Sequence, residues 1–390
     1  MARIYLDHAA TTPPDPRVLE AMWPFFTTYW GNPSSIYLEG QEARRALDAA
    51  RKLVADLLGA TPKEVTFTSG GTESDNAAIR GAALAQRALG RGSHLITTRI
   101  EHHAVLHTVE QLEREGFTAT YLPVDADGVV DLDDLEAAVT PETTVVSIMA
   151  ANNEVGTIQP VAEAVRIVKA RNPRTVVHTD AVQAAGALEI TPSLLGVDLL
   201  SLAAHKFYGP KGVGVLYIKN RTPWQPMFLG GSQEKERRAG TENVAGIVGL
   251  ATAMKLAWDE REARNAHSAA LRNRLLYELP ERIPDTVITG PVDPAGRLPN
   301  NFSCCFRNVE GESVLLALDM ADVAASSGSA CTTGALEPSH VLTAMGIDSD
   351  LAHASLRLTL GIANTDAQID RVLAVLPEIV ARLRSLAGSA

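Results

Sequence analysis

Six short segments of this chain carry residues that could do chemistry. The stretch SSGSACTTGALEPSH, from Ser326 to His340, sets a single thiol, Cys331, among glycines and serines in what reads as a loop. Free cysteine usually packs as a small hydrophobe, so a thiol on a polar, Gly-rich segment reads as a reagent rather than as packing. In TFTSGGTESDN, a strand–turn–helix pattern, Gly70 and Gly71 let the backbone approach a ligand and Thr72 adds a hydroxyl. The helix that follows offers unpaired N–H groups to an anion, which makes a phosphate cradle. Neither GxxxxGK[ST] nor GxGxxG is present there, so it is not a P-loop or a dinucleotide fingerprint. Alone, Gly-Gly-Thr is more often a tight turn.

HTDAVQ puts Asp180 and Gln183 at the end of an apolar strand, where open α/β sheets bind ligands. The plain alternative is a helix cap by Asp180. In LLSLAAHKFYGPKG, Lys206 follows an apolar strand, an unusual setting for a lysine. A lysine near its ordinary pKa is only ~0.04% neutral at neutral pH, so it becomes a nucleophile or base when desolvated or held as a Schiff base. Lys211, inside a Gly-flanked turn, reads as more solvated. EHHAVLH places His102 at a strand end and His103 and His107 four apart on a helix; that pair reads as a solvated face before a metal site. Arg357, in SLRLTL, has the planar fork that grips a carboxylate, although by itself it reads as a structural ion pair. Together, a phosphate cradle, an acid, a strand-end lysine and histidine, an arginine and a mobile thiol are the inventory for pyridoxal phosphate chemistry on an amino acid.

The elements that must position these residues follow from periodicity. The 390 residues suggest two domains. EVTFTSG, SHLITTRI, ATYLPVD, TTVVSIMAAN, TVVHTDAV, DLLSLAAH and VGVLYIK read as seven strands, most of them separated by amphipathic helices. That alternation predicts an α/β fold with a mainly parallel sheet covered on both faces. Ahead of it, Ala43, Ala46, Leu47, Ala50, Leu53, Val54, Leu57 and Leu58 fall on one helical face that Gly59 would close. A long helical run from Asn243 to about Glu278 reads as a connector, followed by a smaller α+β region with NFSCCF as a buried strand. Thr365 and Gln368 fit a capping box at the last helix. The expected boundaries are 14–256 for the large domain, and 1–13 with 257–390 for the small one carrying the Cys331 loop at about 324–338.

Composition narrows the function. A formal net charge of −11 argues against nucleic acid as the main partner. The N-terminal residues lack a signal pattern and no apolar run approaches ~18 residues, so the chain reads as cytoplasmic and free of the membrane. Three cysteines, two of them adjacent at Cys304 and Cys305, give neither a disulfide framework nor a metal-ligand spacing.

The motifs YLDHAATTPPDPRV, GNPSS, TSGGTES, EHHAV, ANNEVGT, HTDAVQAAG, HKFYGPKGVG, RRAGTEN and SSGSACTTGALEPSHV run nearly end to end. They resemble the cysteine desulfurases of the NifS/IscS type, in the class V aminotransferase branch of the fold-type I pyridoxal phosphate enzymes. The resemblance implies that L-cysteine is converted to L-alanine while Cys331 takes the sulfur as a persulfide, for iron–sulfur cluster assembly or another acceptor. It implies that Lys206 carries the cofactor as a Schiff base and moves the substrate's Cα proton. His102, the first histidine of EHHAV, would stack on the ring and assist proton transfer. Asp180 would pair with the ring nitrogen and Gln183 with the phenolic oxygen, while Gly71, Thr72 and His205 hold the phosphate. Thr241 would reach a neighbouring subunit's phosphate, which implies a homodimer. Asn153 and Arg357, with Asn32 close by, would hold the substrate carboxylate, and no metal is implied. Many relatives carry Ser-Gly before the lysine's histidine where this chain has Ala203 and Ala204, so one phosphate contact is lost. After Gly361 the usual Arg- and aromatic-containing segment is replaced by Ile-Ala-Asn, which touches none of these roles. The rival readings are a selenocysteine lyase or another class V enzyme, which would work without the Cys331 loop, and a colourless, non-catalytic scaffold indifferent to Lys206.

Overall fold

The computed structural model describes residues 3–328 and 338–387; Cys331 and most of its expected loop lie outside them. The seven strands form one sheet: β2 (Val65–Thr68), β3 (His94–Thr98), β4 (Thr118–Leu122), β5 (Thr143–Ser147), β6 (Val176–Asp180), β7 (Leu199–Ala203) and β8 (Gly214–Ile218), preceded in the chain by the short β1 (Ile4–Tyr5). Their order is β2-β8-β7-β6-β5-β3-β4. All pairs from β7 through β4 are parallel, and β8 alone runs against its neighbours β7 and β2. Helices cover both faces, which is why β5, β6, β7 and β8 are buried at every residue and read as continuous apolar runs rather than alternating ones.

The chain lays β4 on one side of β3 and then returns to place β5 on the other. The crevice outside the carboxyl ends of strands at such a reversal is where doubly wound sheets bind ligands. Gly71, His102, Met149, Asp180 and Lys206 all follow or end strands at that edge.

The helix Leu38–Leu58 buries Ala43, Leu47, Ala50, Val54 and Leu58, and Gly59 ends it in a left-handed conformation at φ 62°. The expected connector is two helices, Val244–Asp259 and Arg261–Arg282, parted at Glu260. Asn243 caps the first by accepting from the Gly246 N–H at 3.0 Å. A second core lies under the sheet of β9 (Thr286–Ile288), β10 (Asn301–Phe306) and β12 (Ser355–Thr359), ordered β12-β10-β9 and antiparallel. Phe302, Phe306, Leu356 and Leu358 meet Leu373 and Leu376 of the helix Asp366–Ala387 there. Cys304 enters this core while Cys305, on the opposite face of the strand, packs with Val341 and Met345. The capping box holds, with reciprocal bonds between Thr365 and Gln368. Strand β1 pairs in parallel with β11 (Val323–Ala324), so the first residues of the chain join the second core before crossing to the large sheet.

One buried ion pair fixes the segment before Thr241. Glu234, Lys235 and Glu236 are consecutive non-glycine residues with φ of 47°, 58° and 65°, a run that costs of order 1 kcal/mol per residue. What holds it is Arg51, whose guanidinium meets the Glu234 carboxylate with two bonds of 2.7 and 2.6 Å while the Phe67 N–H donates to the same group at 3.0 Å. Lys235 and Arg237 bond the carbonyls of Pro62 and Lys63. Removing one partner strands a buried charge, so Glu234→Ala should lower unfolding free energy by ~3–5 kcal/mol, and Arg51→Met with Glu234→Leu together by less. Urea titration of the three proteins checks this ordering.

Candidate active site

A cavity of about 390 Å³ opens at the carboxyl edge of the large sheet, lined among others by Gly71, Thr72, His102, Asn153, Asp180, Gln183, His205, Lys206 and Arg357. Nine of the residues singled out from sequence therefore converge there, eight from five strand ends or the turns after them and Arg357 from within β12 of the smaller sheet. Asn32 and Thr241 do not. Asn32 is exposed, its side chain accepting from the Ser34 N–H at 2.9 Å. Thr241 is exposed in a shallow groove with Ser69, Gly212, Arg238 and Gly240. That groove is tied to the cavity indirectly: Arg238 pairs with Glu73 at 2.9 Å, and Glu73 accepts from the Ser69 N–H at 2.8 Å.

Asp180 ends β6 and is only 6% exposed. Its carboxylate accepts from the Val182 N–H at 2.8 Å, so it does cap the following turn as well as face the cavity. Burial lifts its pKa to about 6, while the Val182 bond and the charge of Lys206 pull it back. An acid held in this way gains most from a cation set beside it. Lys206 Nζ donates to the carbonyls of Ala9 and Ala10 at 2.5 and 2.9 Å; Lys211 is exposed and lines none of this. His102 caps the helix His103–Arg114, its Nδ1 accepting from the Ala104 N–H at 3.1 Å, which makes Nε2 the protonated nitrogen. Burial first, then the nearby Lys206 and histidines, lower its pKa to about 4, so the ring is neutral at physiological pH. His205 is likewise lowered to about 4 by burial and the charges of Lys206 and Lys211.

Gly71 opens the helix Gly71–Ala88. A Cβ there would stand 2.9 Å from Val182 Cγ2 and 3.6 Å from Ala203 Cβ, so glycine is what leaves room for a ligand against the first N–H groups. Arg357 is 2% exposed and donates to Asp7 at 2.8 Å and to the Asn153 carbonyl at 2.8 Å. His103 sits 4.7 Å from His340 and 4.9 Å from His107 between ring centroids; among the described residues no cluster of His, Cys, Asp or Glu has a metal-holding arrangement.

Sequence reading missed the segment from Asp7 to Thr12 as a wall of the site. Asp7 orients Arg357, and the Ala9 carbonyl accepts from both Gln183 at 3.0 Å and Lys206. Thr11 Oγ1 meets His205 Nδ1 at 3.2 Å, and Thr12 bonds the His205 carbonyl. The only signal was the polar content of LDHAATT, which has no spacing rule of its own. Asp75, also lining the cavity, was missed as well.

The donor set fits pyridoxal phosphate. A buried carboxylate suits the ring nitrogen as a cation, a helix N-terminus with a side-chain-free Gly71 suits a phosphate, and Lys206 suits an aldehyde. Gly71→Ala should weaken cofactor binding about tenfold, within the ~1–3 kcal/mol of overpacking; titrating apo-protein by visible absorbance measures it.

Comparison with known proteins agrees. Residues 4–372 match the family described as aminotransferase class-V. A relative from Clostridium botulinum (strain Hall) named cysteine desulfurase IscS is 49% identical over 98% of this chain and 96% of its own length. Another of that name, from Methanosarcina thermophila, is 51% identical over 98% and 93%. Among solved structures, one titled NifS-like protein superposes with a TM-score of 0.91 at 42% identity, covering 98% of this chain and all of that one. The structure titled SspA in complex with cysteine gives 0.79 at 34% identity, covering 93% of this chain and all of that one. With identities of this size spread over nearly the whole length, the chain belongs to the class V aminotransferase family and, within it, to the cysteine desulfurases of the NifS/IscS type.

Proposed function

We propose that this chain is a pyridoxal phosphate-dependent cysteine desulfurase that converts L-cysteine to L-alanine, Cys331 receiving the sulfur as a persulfide for iron–sulfur cluster assembly. The observation that carries this is the convergence of Lys206, His102, Asp180, Gly71 and Arg357 on one cavity. The cofactor, when bound, supplies an electron sink for the carbanion formed at the substrate's Cα.

The chain's own residues supply the rest. Gly71, Thr72 and His205 hold the phosphate end, and Asp180 holds the ring nitrogen as a cation. A unit charge pair ~4 Å apart at an effective dielectric of ~20 is worth about 4 kcal/mol, roughly three pK units. His102, neutral and locked by its cap bond, lies against the ring and keeps water from that face. Gln183 holds the phenolic oxygen. Lys206 takes the Cα proton and returns it, its amine kept close by the Ala9 and Ala10 carbonyls. Arg357, oriented by Asp7, holds the substrate carboxylate with Asn153.

Cys331 lies outside the described residues. Gly328, the last described residue before it, lines the cavity and accepts from Arg357 at 3.3 Å. Ser339, just beyond, donates to Glu154 at 2.5 Å. One end of the thiol-bearing segment is thus tied to Arg357 itself, and the other to the residue that follows Asn153 in the chain.

Residues 14–256 form the large domain, with 1–13 and 257–390 as the small one. A homodimer is supported by large apolar side chains left exposed, Trp23, Phe26, Trp30, Ile36 and Leu229 among them. In that dimer Thr241 reaches the partner's phosphate and Asn32 completes the substrate pocket. The acceptor is an iron–sulfur scaffold or other sulfur-carrying protein, and the setting is cytoplasmic; no helix among the described residues is long and apolar enough to cross a membrane.

The test uses holoenzyme with L-cysteine and a reductant, quantifying sulfide and alanine together. Wild type should give equal amounts. Cys331→Ala should lose at least about 100-fold of the sulfide rate, the order of effect of deleting a nucleophile, while remaining yellow; Lys206→Ala should lose both the rate and the lysine-linked absorbance. Full activity of Cys331→Ala on selenocysteine and cysteine alike would favour a lyase instead.

A further inference from the structure

Beneath the proposed cofactor floor lies a polar cluster that the mechanism above does not use. Asp75, one turn into the helix that begins at Gly71, is 1% exposed and lines the cavity beside Asp180. Its Oδ1 has no hydrogen-bond partner. The nearest basic nitrogen, His178 Nε2, is 3.6 Å away, and both His178 nitrogens are already engaged, with Ser147 Oγ at 2.8 Å and Ser201 Oγ at 2.9 Å. Ser201 also bonds the Asp75 carboxyl, and in the sheet it stands directly opposite Asp180. A continuous chain thus runs Ser147–His178–Ser201–Asp75, all fully buried.

Two carboxyls facing one cavity from neighbouring elements cannot both ionise cheaply without a cation each. The groups around them are His178 on β6, Glu101 and His102 after β3, and His205 and Lys206 after β7. His178 is held near 3 by burial and stays neutral; Glu101, also buried, is pushed up to about 8. Lys206 is the cation that acts on Asp180; burial first and then Asp180 raise Asp75, and they outweigh the Ser201 bond, which lowers it. The hydrogen-bond chain accommodates a protonated Asp75: its O–H donates to Ser201, Ser201 to His178 Nε2, and His178 Nδ1–H to Ser147, so the Asp75 proton, the Ser201 proton and the ring proton each have an acceptor.

We propose that Asp75 is a positioning residue that keeps its proton, bonded to Ser201, and so leaves Asp180 as the single anion of the cofactor floor. This rests on the pyridoxal phosphate reading of the cavity. One acid then serves the ring nitrogen, and the second makes the wall polar without adding a charge. The arrangement explains why a carboxyl stands on a helix face that otherwise packs Ala78, Ile79 and Ala82 into the core.

Infrared spectroscopy and a pH titration of the cofactor's visible band test it together, in wild type, Asp75→Asn, Asp75→Ala and Glu101→Gln. The wild-type protein should show the carbonyl band of a buried, protonated carboxylic acid at neutral pH, part of which Asp75→Asn removes and Glu101→Gln does not. Asp75→Asn, neutral and similar in shape, should keep the wild-type titration midpoint. Asp75→Ala, which frees Ser201, should shift it by about one pH unit, the scale of one lost hydrogen bond. A protonated-acid band unchanged in Asp75→Asn, an Asp75→Asn midpoint moved by a unit or more, or an Asp75→Ala midpoint equal to wild type would each overturn the proposal. Should Asp75→Ala fail to fold, the asparagine variant and the infrared band still decide. The infrared arm is read on apo-protein too, so a protein that binds no pyridoxal phosphate would sink the functional reading while still reporting the Asp75 proton.

Discussion

A carboxylate at the end of a buried strand is the constraint on which this site turns. Asp180 is buried and has one N–H bond to hold it, so its charge survives only where a cation answers it. That need explains the strand-end lysine and the basic ring nitrogen the cavity suits. It also explains why the neighbouring titratable groups are held neutral: His102, His178 and His205 are all depressed by burial, and Glu101 is raised by it. A second charge of either sign beside Asp180 would change how strongly it grips its partner. The fold achieves this by closing both faces of the sheet, so that water reaches the acid only from the cavity.

The second organising feature is the strap from Asp7 to Thr12. It leaves the smaller core through β1, whose pairing with β11 anchors it, and crosses the mouth of the large sheet. On the way it touches Arg357, Gln183, Lys206 and His205. Residues from both cores are thereby set relative to one short run of backbone. Thr359 adds to this, its Oγ1 accepting from the Ala9 N–H at 2.8 Å. Any shift of one core against the other is transmitted first to the groups that hold substrate and lysine.

How far the sequence disclosed this differs by residue. The sheet was legible because strands buried on both faces are continuous β-branched runs, and TVVHTD and LLSLAAHK end in chemistry where such runs normally end in turns. Asp75 was not legible, since in GTESDNAAIRG an acid in the first helical turns reads as dipole-complementing and solvated; only the packing of that helix against β6 and β7 buries it. Arg51 hid in the same way on a helix whose apolar face was otherwise read correctly. The break at Glu260 has no glycine or proline to announce it. There Arg17, distant in sequence, and Arg264, one turn further on, meet the Glu260 carboxylate. Asn32 and Thr241 were named from family motifs, and this chain alone leaves both outside its cavity.

The central claim is that Asp180 makes the cofactor an electron sink by keeping its ring nitrogen protonated. Nuclear magnetic resonance of holoenzyme rebuilt with pyridoxal phosphate labelled at the ring nitrogen reads this directly. At alkaline pH, where a free pyridine has lost its proton, the wild-type enzyme should show the shift of a protonated ring and Asp180→Asn that of a neutral one. The same neutral-ring shift in both proteins would contradict the account, since the buried carboxylate would then be doing something else.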